Sequence, residues 1–546
     1  MKELNHQVDF CVVGGGMSGL CAAVAAARQG IRTALVHDRP VLGGNASSEI
    51  RMWICGAEGA NHRETGLVEE VSLENNYRNP GSNFSIWDSV LYQLAREEKN
   101  LTLFLNCSVN ALELSGNRIV SVRGWQGTAE TWHTIKANVF ADCSGDSILA
   151  PLSGADYRIG REAAAEFGES LAQDVADRKT MGMSCLIQAR ETDSPKEFIA
   201  PRWAKKITSD SELAHRGHDF TGLSNFWWME LGGEADSIHD TETLRDDLVA
   251  LAFGVWDHIK NHGDHGAGNW ELEWVGFLPG KRESRRYLGD HILSEKEILS
   301  RGEFTDVVAY GGWPIDDHHP GGFYYSGPPN RNIHIPEVYG IPYRSLYSRN
   351  IDNLLFAGRN ISATHIGISS TRVMATCSVM GQAVGVAAAL AVKNNCNPRG
   401  VYQQHIPELQ QLLLDADCYL PGVKREIARI SAKARLSASS GDAEALRSGI
   451  DRPVGDADNS WCGKCGDFIE YDFGQRRKFC SARLVFDSDL NRKGLGACSH
   501  HWEKNILSNF PLHQPPRHPP ATLVKSFRLE ARQNDGTWQE FFREDN

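Results

Sequence analysis

The N-terminal stretch changes abruptly from a short apolar run to a series of glycines and then to a helical pattern. Residues 8–13 form the kind of apolar run that a buried parallel strand shows. Apolar side chains then recur at helical spacing from Leu20 to Ala27, and Gly30 is a natural helix C-cap. The pattern predicts a strand, a tight turn and a helix, in that order.

Further apolar runs extend this beginning into a sheet. A second strand, Arg32 to Val36, follows at the distance of a βαβ unit. Leu101 to Val109 alternates as a strand. Three shorter runs predict a β-meander that leads back to the main sheet: Asn117–Val122, Thr131–Ile135 and Asn138–Asp142.

Length and composition add domains and exclude some partners. The chain has 546 residues, 41% of them hydrophobic, which predicts roughly two to four domains. A net charge of −12 without a basic run argues against a nucleic-acid partner. The thirteen cysteines, an odd number, favour reduced thiols over a disulfide framework.

The sequence shows neither a leader nor a clear membrane span. The N-terminus lacks the charged-then-apolar pattern of a leader. The long run with the fewest polar residues, Val379 to Val392, is too short for a membrane span and contains Gly381, Gln382 and Gly385. That run suits a buried helix. We therefore expect no membrane partner and a cytoplasmic location.

The glycines after the first strand have the spacing Gly14-x-Gly16-x-x-Gly19. Gly14 permits the turn, Gly16 lets the backbone approach a pyrophosphate, and Gly19 allows close packing of helix and strand. Free N–H groups at the helix N-terminus would face the phosphates. The alternative is a glycine turn without a nucleotide.

The end of the second strand departs from the usual nucleotide-binding pattern. A carboxylate is expected there to hold the ribose hydroxyls, but the position carries His37. Asp38 follows directly, so we assign the ribose contact to Asp38.

Three more motifs resemble flavoproteins of the glutathione-reductase-like superfamily. They are Gly43-Gly44, the strand-end Ser144-Gly145-Asp146, and the strand-turn Phe356-Ala357-Gly358 followed by a helix from Arg372 to Gly385. Together with the first glycines, they resemble the FAD-dependent oxidoreductase family from Val8 to Pro421. Arg359 and Asn360 stand where Gly-Asp is common, which is a second departure.

The resemblance implies an α/β fold with a Rossmann-like domain that binds FAD non-covalently. A helix N-terminus aimed at the flavin would stabilise its reduced anion. By position, the residues implied in cofactor binding are Gly14, Gly16, Met17, Ser18, Gly19, Asp38, Arg39, Gly43, Gly44, Asn45, Ser48, Val109, Ser144, Gly145, Asp146, Arg161, Gly358, Arg359, Asn360, Arg372, Thr376, Gly381, Gln382 and Ala383.

Candidate chemistry lies in polar segments. Arg51 could stabilise a reduced flavin or orient a substrate oxygen, or could pair at the surface with Glu49 or Glu58. The segment 279–286 (PGKRESRR) suits an anionic or polyhydroxylated ligand, and a solvated charged turn is equally compatible.

The segment 313–325 (WPIDDHHPGGFYY) predicts a loop that carries an acid, a base and orienting partners. We take His318, His319 or His365 as the base, with surface histidines as the competing interpretation. A metal at this segment would need a spaced third ligand. We therefore predict no metal site.

The remaining chain predicts an inserted domain and a C-terminal sandwich. Seven tryptophans between 155 and 340 suit either sugar stacking or core filling. From Asp442, short alternating segments resemble a discoidin-like, galactose-binding jelly roll. Cys462-x-x-Cys465, with Cys498, His500 and His501 farther on, is a weak zinc pattern, and buried thiols are favoured. The predicted domains are a discontinuous FAD-binding domain (1–155 and 340–421), a substrate domain (156–339), a linker (422–441) and a β-sandwich (442–546).

These observations predict an FAD-dependent oxidoreductase that oxidises a CH–OH or CH–NH group, in a carbohydrate or glycoside by preference. Two alternatives stay open: a redox-neutral cleavage of a glycoside, and a carbohydrate-binding protein in which FAD is structural. A homo-oligomer is compatible with the sequence. The electron acceptor is open.

Overall fold

The computed structural model describes residues 1–59, 61–218, 225–454, 459–490 and 505–545. Its helices are α1 (Met17–Arg28), α2 (Leu67–Arg78), α3 (Phe84–Arg96), α4 (Leu149–Ser153), α5 (Ala164–Phe167), α6 (Thr241–Asn261), α7 (Glu295–Leu299), α8 (His365–Thr371), α9 (Met374–Lys393), α10 (Pro398–Gln404), α11 (Ile406–Asp415) and α12 (Arg429–Lys433).

The strands are β1 (Lys2–Gln7), β2 (Phe10–Val13), β3 (Thr33–Val36), β4 (Leu101–Phe104), β5 (Cys107–Ser115), β6 (Arg118–Gln126), β7 (Thr131–Lys136), β8 (Val139–Asp142), β9 (Tyr157–Arg158), β10 (Met183–Ser184), β11 (Ile187–Glu191), β12 (Glu230–Leu231), β13 (Trp270–Val275), β14 (Gly280–Lys281), β15 (Arg286–Tyr287), β16 (Val307–Gly311), β17 (Ile315–His318), β18 (Asn330–Ile333), β19 (Tyr339–Pro342), β20 (Leu354–Phe356), β21 (Arg435–Ala438), β22 (Ile469–Asp472), β23 (Ser526–Arg532) and β24 (Trp538–Asp545).

A five-stranded parallel sheet in the order β20-β8-β2-β3-β4 forms the centre of the fold. β2 and β3 are buried along their whole length, as expected of a parallel strand that is covered on both faces. After β2 the chain adds β3 and β4 on one side of the sheet and then β8 and β20 on the other side, so the strand order reverses between β2 and β8. Ligands bind outside the carboxyl ends of parallel strands at such a switch point, and the predicted glycine loop, Ser-Gly-Asp segment and Gly358 turn all follow strands of this sheet.

Two runs of the predicted β-meander are β6 and β7, which pair with each other, whereas the third run is β8 of the main sheet. The predicted strand Leu101–Val109 is divided, because β4 belongs to the main sheet and β5 pairs with β6 as the first strand of the meander. β1 joins the meander as an additional parallel strand beside β7. The meander therefore stands directly between β4 and β8 in the chain.

Helices α1 and α9 cross at very short range through small residues. A Cβ added at Gly381 would lie 2.0 Å from the Ser18 carbonyl oxygen, and one at Gly385 would lie 2.2 Å from the Ala22 carbonyl oxygen. Glycine is required at both positions because the opposing atoms belong to backbone. The crossing holds the N-terminal turn of α1 against the helix that follows the C-terminal motif.

A second hydrophobic core lies in the predicted insertion. It is built from residues between 183 and 270 together with Phe323, and Trp228, Trp256 and Trp270 are buried in it. These three tryptophans fill the core, whereas Trp203 is 55% exposed. Tyr287 and Tyr339, although within the predicted insertion, pack in the main core instead.

The C-terminal part differs from the predicted sandwich. The predicted linker contains α12 and β21, and β21 pairs with β22. β23 and β24 form an antiparallel hairpin, and residues 481–489, predicted as a strand, are not regular structure. The two described ladders are separate pairs of strands, so the described residues do not show a jelly roll.

A segment near the C-terminus packs on the body of the protein. Asn505 accepts a hydrogen bond from the Ile54 amide (2.7 Å), and Asn509 accepts one from the Ala189 amide (2.9 Å). Arg517, which is buried, donates to the Ser82 hydroxyl (2.7 Å). This part of the chain braces the FAD-binding and inserted regions.

The cysteines within the described ranges are all free thiols, as predicted. Cys462 and Cys465 are exposed and not buried as predicted. Their suggested partners Cys498, His500 and His501 lie outside the described residues.

One described helix, α9, is long and apolar enough to cross a membrane by length and composition, but 94% of its apolar window is buried inside the protein. The central helix of a folded domain meets the same criterion.

The α1–α9 crossing yields a stability prediction. The Gly381→Leu variant should lower the free energy of unfolding by about 1–3 kcal/mol, because its side chain must displace the α1 backbone. Urea unfolding followed by tryptophan fluorescence measures the loss. Gly81→Ala is the matched control, since a Cβ at Gly81 meets no atom within 4 Å. Equal midpoints for the two variants would show that the helices can separate without cost.

Candidate active site

The glycine loop between β2 and α1 is tightly fixed at both of its ends. Gly14 has a φ of 106°, and its amide donates to the Val36 carbonyl oxygen (2.8 Å) on the neighbouring strand. A Cβ at Gly14 would lie 2.5 Å from the backbone of Cys143, and one at Gly19 would lie 1.8 Å from the Gly14 oxygen. The first and third glycines are therefore required by packing.

The middle of the loop is open. A Cβ at Gly16 would have only the Gly44 Cα within 4 Å, at 3.9 Å. No side chain caps the N-terminus of α1 within the described residues, so the first-turn amides, those of Met17 and Ser18 included, stay available to an anion. The backbone is shaped for the close approach of a phosphate group.

His37 occupies the strand-end position in which the pattern expects a carboxylate. Its Nδ1 accepts a hydrogen bond from the Gly15 amide (3.0 Å), and its Nε2 donates to the Val41 carbonyl oxygen (3.1 Å). The ring is buried, whereas the Asp38 side chain is 62% exposed. The His37 ring thus holds the glycine loop in place through the Gly15 amide. Asp38 remains the predicted ribose contact.

The strand that carries Val109 starts beside this turn. The Cys107 amide donates to the His37 carbonyl oxygen (2.8 Å), and the Asn106 amide donates to that of Arg39 (3.2 Å). Val109 is buried two residues farther along β5. These contacts place Val109 close to the His37 turn, and its role in cofactor binding stays a prediction.

The Gly43-Gly44 turn closes over the glycine loop. The Gly43 amide donates to the Gly15 carbonyl oxygen (2.8 Å), and both glycines have positive φ. A Cβ at Gly44 would lie 3.0 Å from the Gly16 Cα and 3.8 Å from Arg39 Nη2. Arg39 therefore places a cation beside the phosphate-shaped backbone.

Asn45 and Ser48 hold this turn to other elements. The Asn45 amide group donates to the Lys281 carbonyl oxygen (3.1 Å), and the Ser48 backbone amide donates to Asp88 (3.0 Å). In the structure they fix the turn rather than present free polar groups.

Asp142, at the end of β8, organises the predicted Ser-Gly-Asp segment and was missed by the sequence analysis. Its fully buried carboxylate accepts from the Ser144 amide (2.9 Å), the Ser144 hydroxyl (2.6 Å), the Leu149 amide (2.8 Å) and the Tyr287 hydroxyl (2.7 Å). Burial raises the pKa of Asp142. The sequence signal that identifies Asp142 is a carboxylate at the end of a predicted strand, two residues before Ser144.

Asp146 and Arg359 form an ion pair between two of the predicted cofactor loops. Arg359 Nη2 lies 2.6 Å from Asp146 Oδ1, and Lys281 Nζ lies 2.9 Å from Oδ2. Although burial alone would raise the pKa of Asp146, the two cations hold it well below its usual range. A Cβ at Gly145 would lie 2.9 Å from Arg359 Nε, so glycine makes room for the pair.

Asn360 offers an unused acceptor at the same edge. Its Nδ2 donates to the Asp142 carbonyl oxygen (3.3 Å), while its buried Oδ1 has no hydrogen-bond partner among the described residues. A Cβ at Gly358 would lie 3.4 Å from this Oδ1 and 3.0 Å from the Ser18 hydroxyl. An orphaned acceptor beside an open glycine loop fits a hydroxyl-bearing cofactor such as FAD.

The residues predicted along α9 have other partners in the structure. Thr376 donates to the buried Glu64 carboxylate (2.7 Å), and Gln382 accepts from the Leu67 amide (2.9 Å). Gly381 makes the α1 crossing, and Ala383 is fully buried. These contacts join α9 to other parts of the protein, and the assignment of the four residues to cofactor binding stays a prediction.

The segment 281–286, here called the linking segment, runs from the cofactor loops into the histidine clusters. Ser284 accepts from Arg359 Nη1 (3.0 Å) and donates to Asp146 (2.8 Å), and its neighbour Glu283 contacts His365 (2.9 Å). Arg286 is buried and pairs with Glu162 (2.8 Å). The segment is therefore neither a ligand-binding patch nor a solvated turn, because its charges are used internally.

His365 lies between two carboxylates at the start of α8. Its Nδ1 is 2.9 Å from Glu283, and its Nε2 is 3.0 Å from Asp317. Burial lowers the pKa of His365, but the two carboxylates outweigh it and raise the value to about 10. The ring is an imidazolium at neutral pH with both nitrogens engaged, so the predicted role of a base is corrected.

His318 repeats the arrangement on the next strand face. Its Nδ1 is 2.6 Å from Glu230 and its Nε2 is 3.2 Å from Asp316, and these carboxylates raise the pKa of His318 against the effect of burial. Arg372 pairs with Asp316 (3.1 Å), which places Arg372 in this cluster. Both ring nitrogens of His318 face carboxylate oxygens, which only accept, so this arrangement favours a ring that donates from both nitrogens over a base.

Asp316, Asp317 and His318 lie on strand β17 and not, as the sequence predicted, in a loop. β17 pairs with β18 in antiparallel register, so successive side chains point to opposite faces. Asp316 and His318 share one face, and Asp317 reaches His365 on the other.

His319 follows the strand and remains exposed. It stacks on Tyr325 with ring centroids 3.5 Å apart, and its Nδ1 accepts from the Gly321 amide (3.1 Å). Partial burial and the nearby Arg161 lower the pKa of His319. Arg161 pairs with Asp177 (2.5 Å) near these groups, so the structure places it by the histidines and not in the glycine loop.

Arg51 is enclosed by aromatic rings. Its guanidinium lies 4.0 Å from the centroid of Phe84 and 4.4 Å from that of Trp274, and it donates to Gln188 (2.7 Å). Burial lowers the pKa of Arg51 to about 10. The predicted surface pairs with Glu49 or Glu58 are not among its contacts.

A sequence relative matches part of the chain. The α subunit of sarcosine oxidase from Corynebacterium sp. (strain U-96) is 23% identical over 317 residues, which cover 56% of this chain and 32% of that protein. The chain thus spans about a third of the length of this relative.

Two solved structures share the general arrangement at low similarity. A geranylgeranyl bacteriochlorophyll reductase-like protein from Thermoplasma acidophilum is 12% identical, with a TM-score of 0.34, 76% of this chain covered and 86% of that one. The anhydrotetracycline hydroxylase OxyS from Streptomyces rimosus is 12% identical, with a TM-score of 0.30 and coverages of 75% and 70%.

The family match is broader and agrees with the site. The glycine loop, the Gly43-Gly44 turn, the Asp146–Arg359 pair and the orphaned Asn360 acceptor all lie within residues 9–413, which match the model of the family described as FAD dependent oxidoreductase. The chain belongs to the FAD dependent oxidoreductase family, and it is an enzyme whose cofactor is FAD.

Proposed function

We propose that this enzyme oxidises a CH–OH group of a small polar substrate, a carbohydrate or glycoside by preference. The observation that carries the proposal is the continuity between the cofactor loops and two imidazolium groups. Ser284 contacts Arg359 and Asp146, and the adjoining Glu283 contacts His365. Cations held at this position favour a reaction in which negative charge develops.

The residues that would hold FAD follow from the open polar groups. The first-turn amides of α1 and the Arg39 guanidinium suit the diphosphate. Asn360 Oδ1 suits a ribityl hydroxyl, because it is a buried acceptor without a partner in the described ranges. FAD supplies the acceptor for a hydride from the substrate carbon.

His319 is the base that we propose for the hydroxyl proton. Its surroundings lower its pKa and favour the neutral ring, whereas carboxylates raise the pKa of His318 and His365. It is exposed to solvent, so a proton that it accepts can leave. The backbone hydrogen bond at Nδ1 would orient the ring, and Tyr325 would support it by stacking.

The carbohydrate assignment is supported by polar and aromatic surface near His319. Tyr324 is 68% exposed and Tyr325 is 37% exposed, so both offer ring faces that suit a sugar. We also keep three predictions from the sequence as proposals. They are a galactose-binding-like fold for the C-terminal region, a cytoplasmic location and a homo-oligomer. A redox-neutral glycoside cleavage, or sugar binding with a structural FAD, would use the same surface.

A second candidate substrate class is an amine. The α subunit of sarcosine oxidase, which is named for an amine substrate, matches 56% of this chain. A CH–NH group of a neutral amine can lose its hydride without a base. The contribution of His319 therefore separates alcohol from amine oxidation.

The cofactor assignment gives the first prediction of this site. The Asn360→Leu variant should bind FAD at least about fivefold more weakly, because it loses a hydrogen bond worth about 1 kcal/mol. The ratio of flavin to protein absorbance after dialysis measures the loss. Asn394→Leu, at the far exposed end of α9, is the control. Full FAD retention by Asn360→Leu would remove Asn360 from the cofactor site.

The second prediction concerns catalysis. Anaerobic mixing with a panel of sugars, glycosides and secondary amines should bleach the flavin with at least one sugar or glycoside. The His319→Gln variant should then reduce about 100-fold more slowly with its FAD content unchanged, since a general base commonly contributes a factor of about 100 or more.

The other results of the same panel are equally informative. His239→Gln, with a side chain that is 72% exposed, is the control for His319→Gln. Bleaching by amines alone, or a His319→Gln rate equal to wild type, would overturn the alcohol assignment. Cleavage of a glycoside without net bleaching would identify the redox-neutral reaction.

The third prediction follows from the imidazolium at His365. Its pKa rises from 6.5 to about 10 on folding. Protonation therefore stabilises the fold fully below pH 6.5, and this contribution is lost as the pH rises through 10. The wild type should exceed the His365→Gln variant in unfolding free energy most at pH 6, and the difference should narrow by a few kcal/mol towards pH 10.

Urea unfolding at pH 6, 8 and 10 measures this difference. His239→Gln again serves as control and should show only a small difference in unfolding free energy, because the side chain is exposed. A constant gap between wild type and His365→Gln would mean that His365 is neutral in the folded protein.

A further inference from the structure

Four potential metal ligands converge in the inserted region, away from the histidines of β17 and α8. They are Asp210, His218, His258 and His265, and their ligand atoms all lie within 4.8 Å of one another. Asp210 begins a short 3₁₀ turn (Asp210–Leu213), and His258 lies in the last turn of α6.

The distances between the ligand atoms are close to the edge lengths of a tetrahedron around a metal ion. The Nε2 atoms of His258, His218 and His265 lie 2.9, 3.5 and 3.5 Å from Asp210 Oδ1. Metal–ligand bonds of about 2.0–2.1 Å give a tetrahedral edge of about 3.3 Å. Little movement is needed to place a Zn²⁺ ion between the four atoms.

The hydrogen bonds of the cluster prepare His218 as a ligand. Its Nδ1 must donate to the Arg216 carbonyl oxygen (3.0 Å), because a carbonyl can only accept. In the neutral ring, Nε2 then carries a lone pair that faces the Asp210 carboxylate. A backbone contact of this kind fixes the tautomer in many metal sites.

His265 supplies a second, independent sign of a missing partner. Its Nε2 is buried and has no hydrogen-bond partner among the described residues, although the carboxylate stands 3.5 Å away. The rings of His218 and His265 lie at 4.7 Å, and those of His258 and His265 at 4.9 Å. His258 Nε2 is hydrogen-bonded to Asp210 Oδ1 (2.9 Å), whereas His265 Nε2 faces the same oxygen without a hydrogen bond, and a cation between the rings and the carboxylate would give it a partner.

We propose that Asp210, His218, His258 and His265 bind one Zn²⁺ ion as a structural site. Three imidazoles and a carboxylate suit Zn²⁺, and four protein ligands close its tetrahedron. This proposal departs from the prediction that the chain has no metal site. The ligands come from two parts of the chain, 210–218 and 258–265, and neither pair has the spacing of a common zinc motif, so the sequence pattern did not indicate the site.

The ion would brace the inserted region and the His319 loop. Arg216, whose carbonyl holds His218, also donates from Nη2 to the carbonyl oxygens of Gly322 (2.9 Å) and Tyr325 (2.6 Å). Loss of the metal should therefore loosen the turn on which His319 stacks.

The test uses the full chain without a polyhistidine tag. The protein is stripped with EDTA, dialysed and titrated with ZnSO₄ alone, and bound zinc is measured by inductively coupled plasma mass spectrometry. We expect one zinc per chain. X-ray absorption at the zinc edge should show nitrogen and oxygen donors at about 2.0 Å with imidazole outer shells.

Variants make the assignment specific. His265→Ala and Asp210→Ala should each weaken zinc binding at least tenfold, and Asp210 is exposed, so its replacement spares the fold. His262→Ala is the matched control, since His262 lies between two of the ligands and pairs with Asp257 (3.2 Å) instead. Unchanged FAD content verifies folding.

Three results would overturn the site. The first is a protein that retains no zinc after dialysis. The second is equal zinc affinity in Asp210→Ala and wild type. The third is sulfur scattering at about 2.3 Å, which would place the ion at Cys462 and Cys465.

Discussion

Buried charge along the linking segment is the constraint on which the arrangement of this protein depends. Glu283 and Arg286 have side chains that are 0% and 1% exposed, and they lie 3.3 Å apart. Taking such groups out of water is costly, and removal of one partner commonly costs about 3–5 kcal/mol. The loops that bring His365 to Glu283 and Glu162 to Arg286 are therefore held in position, because moving either loop would leave a buried charge without its partner.

This constraint explains how the cofactor edge of the sheet and the histidines stay in register. β17 is four residues long, and its alternation sends Asp316 and Asp317 to different histidines. A shift of one residue would exchange the two faces and break both clusters. The strand thus couples two imidazolium groups whose carboxylate partners come from distant parts of the chain, Glu230 and Glu283.

The sequence was sufficient for the features that depend on local backbone. Gly14, Gly19 and Gly43 are needed where they stand because a side chain would meet backbone or a packed neighbour, and such needs leave a visible spacing. The strands around them follow from apolar runs.

Features that depend on distant partners were not accessible in this way. His37 looks like a failed ribose ligand until its ring is seen under the Gly15 amide. The basic residues at 281–286 suggest a surface in the sequence, but their partners Asp146, Glu162 and Glu230 lie far away in the chain. Sequence spacing cannot reveal that a histidine has two carboxylates beside it, and this determines whether it is a base or a cation.

The balance of charge around His318 has a consequence for the substrate. Glu230 and Asp316 contribute two negative charges, whereas Arg282, Arg372 and the protonated ring contribute three positive ones, which leaves one positive charge in excess. A buried excess charge is stabilised by an anion nearby. A group that is neutral before the reaction and gains negative charge during it is held more tightly as the reaction proceeds, which is the condition for catalysis. This excess of positive charge supports the proposal of an alcohol substrate, which develops alkoxide character, over an amine, which becomes a cation when it loses its hydride.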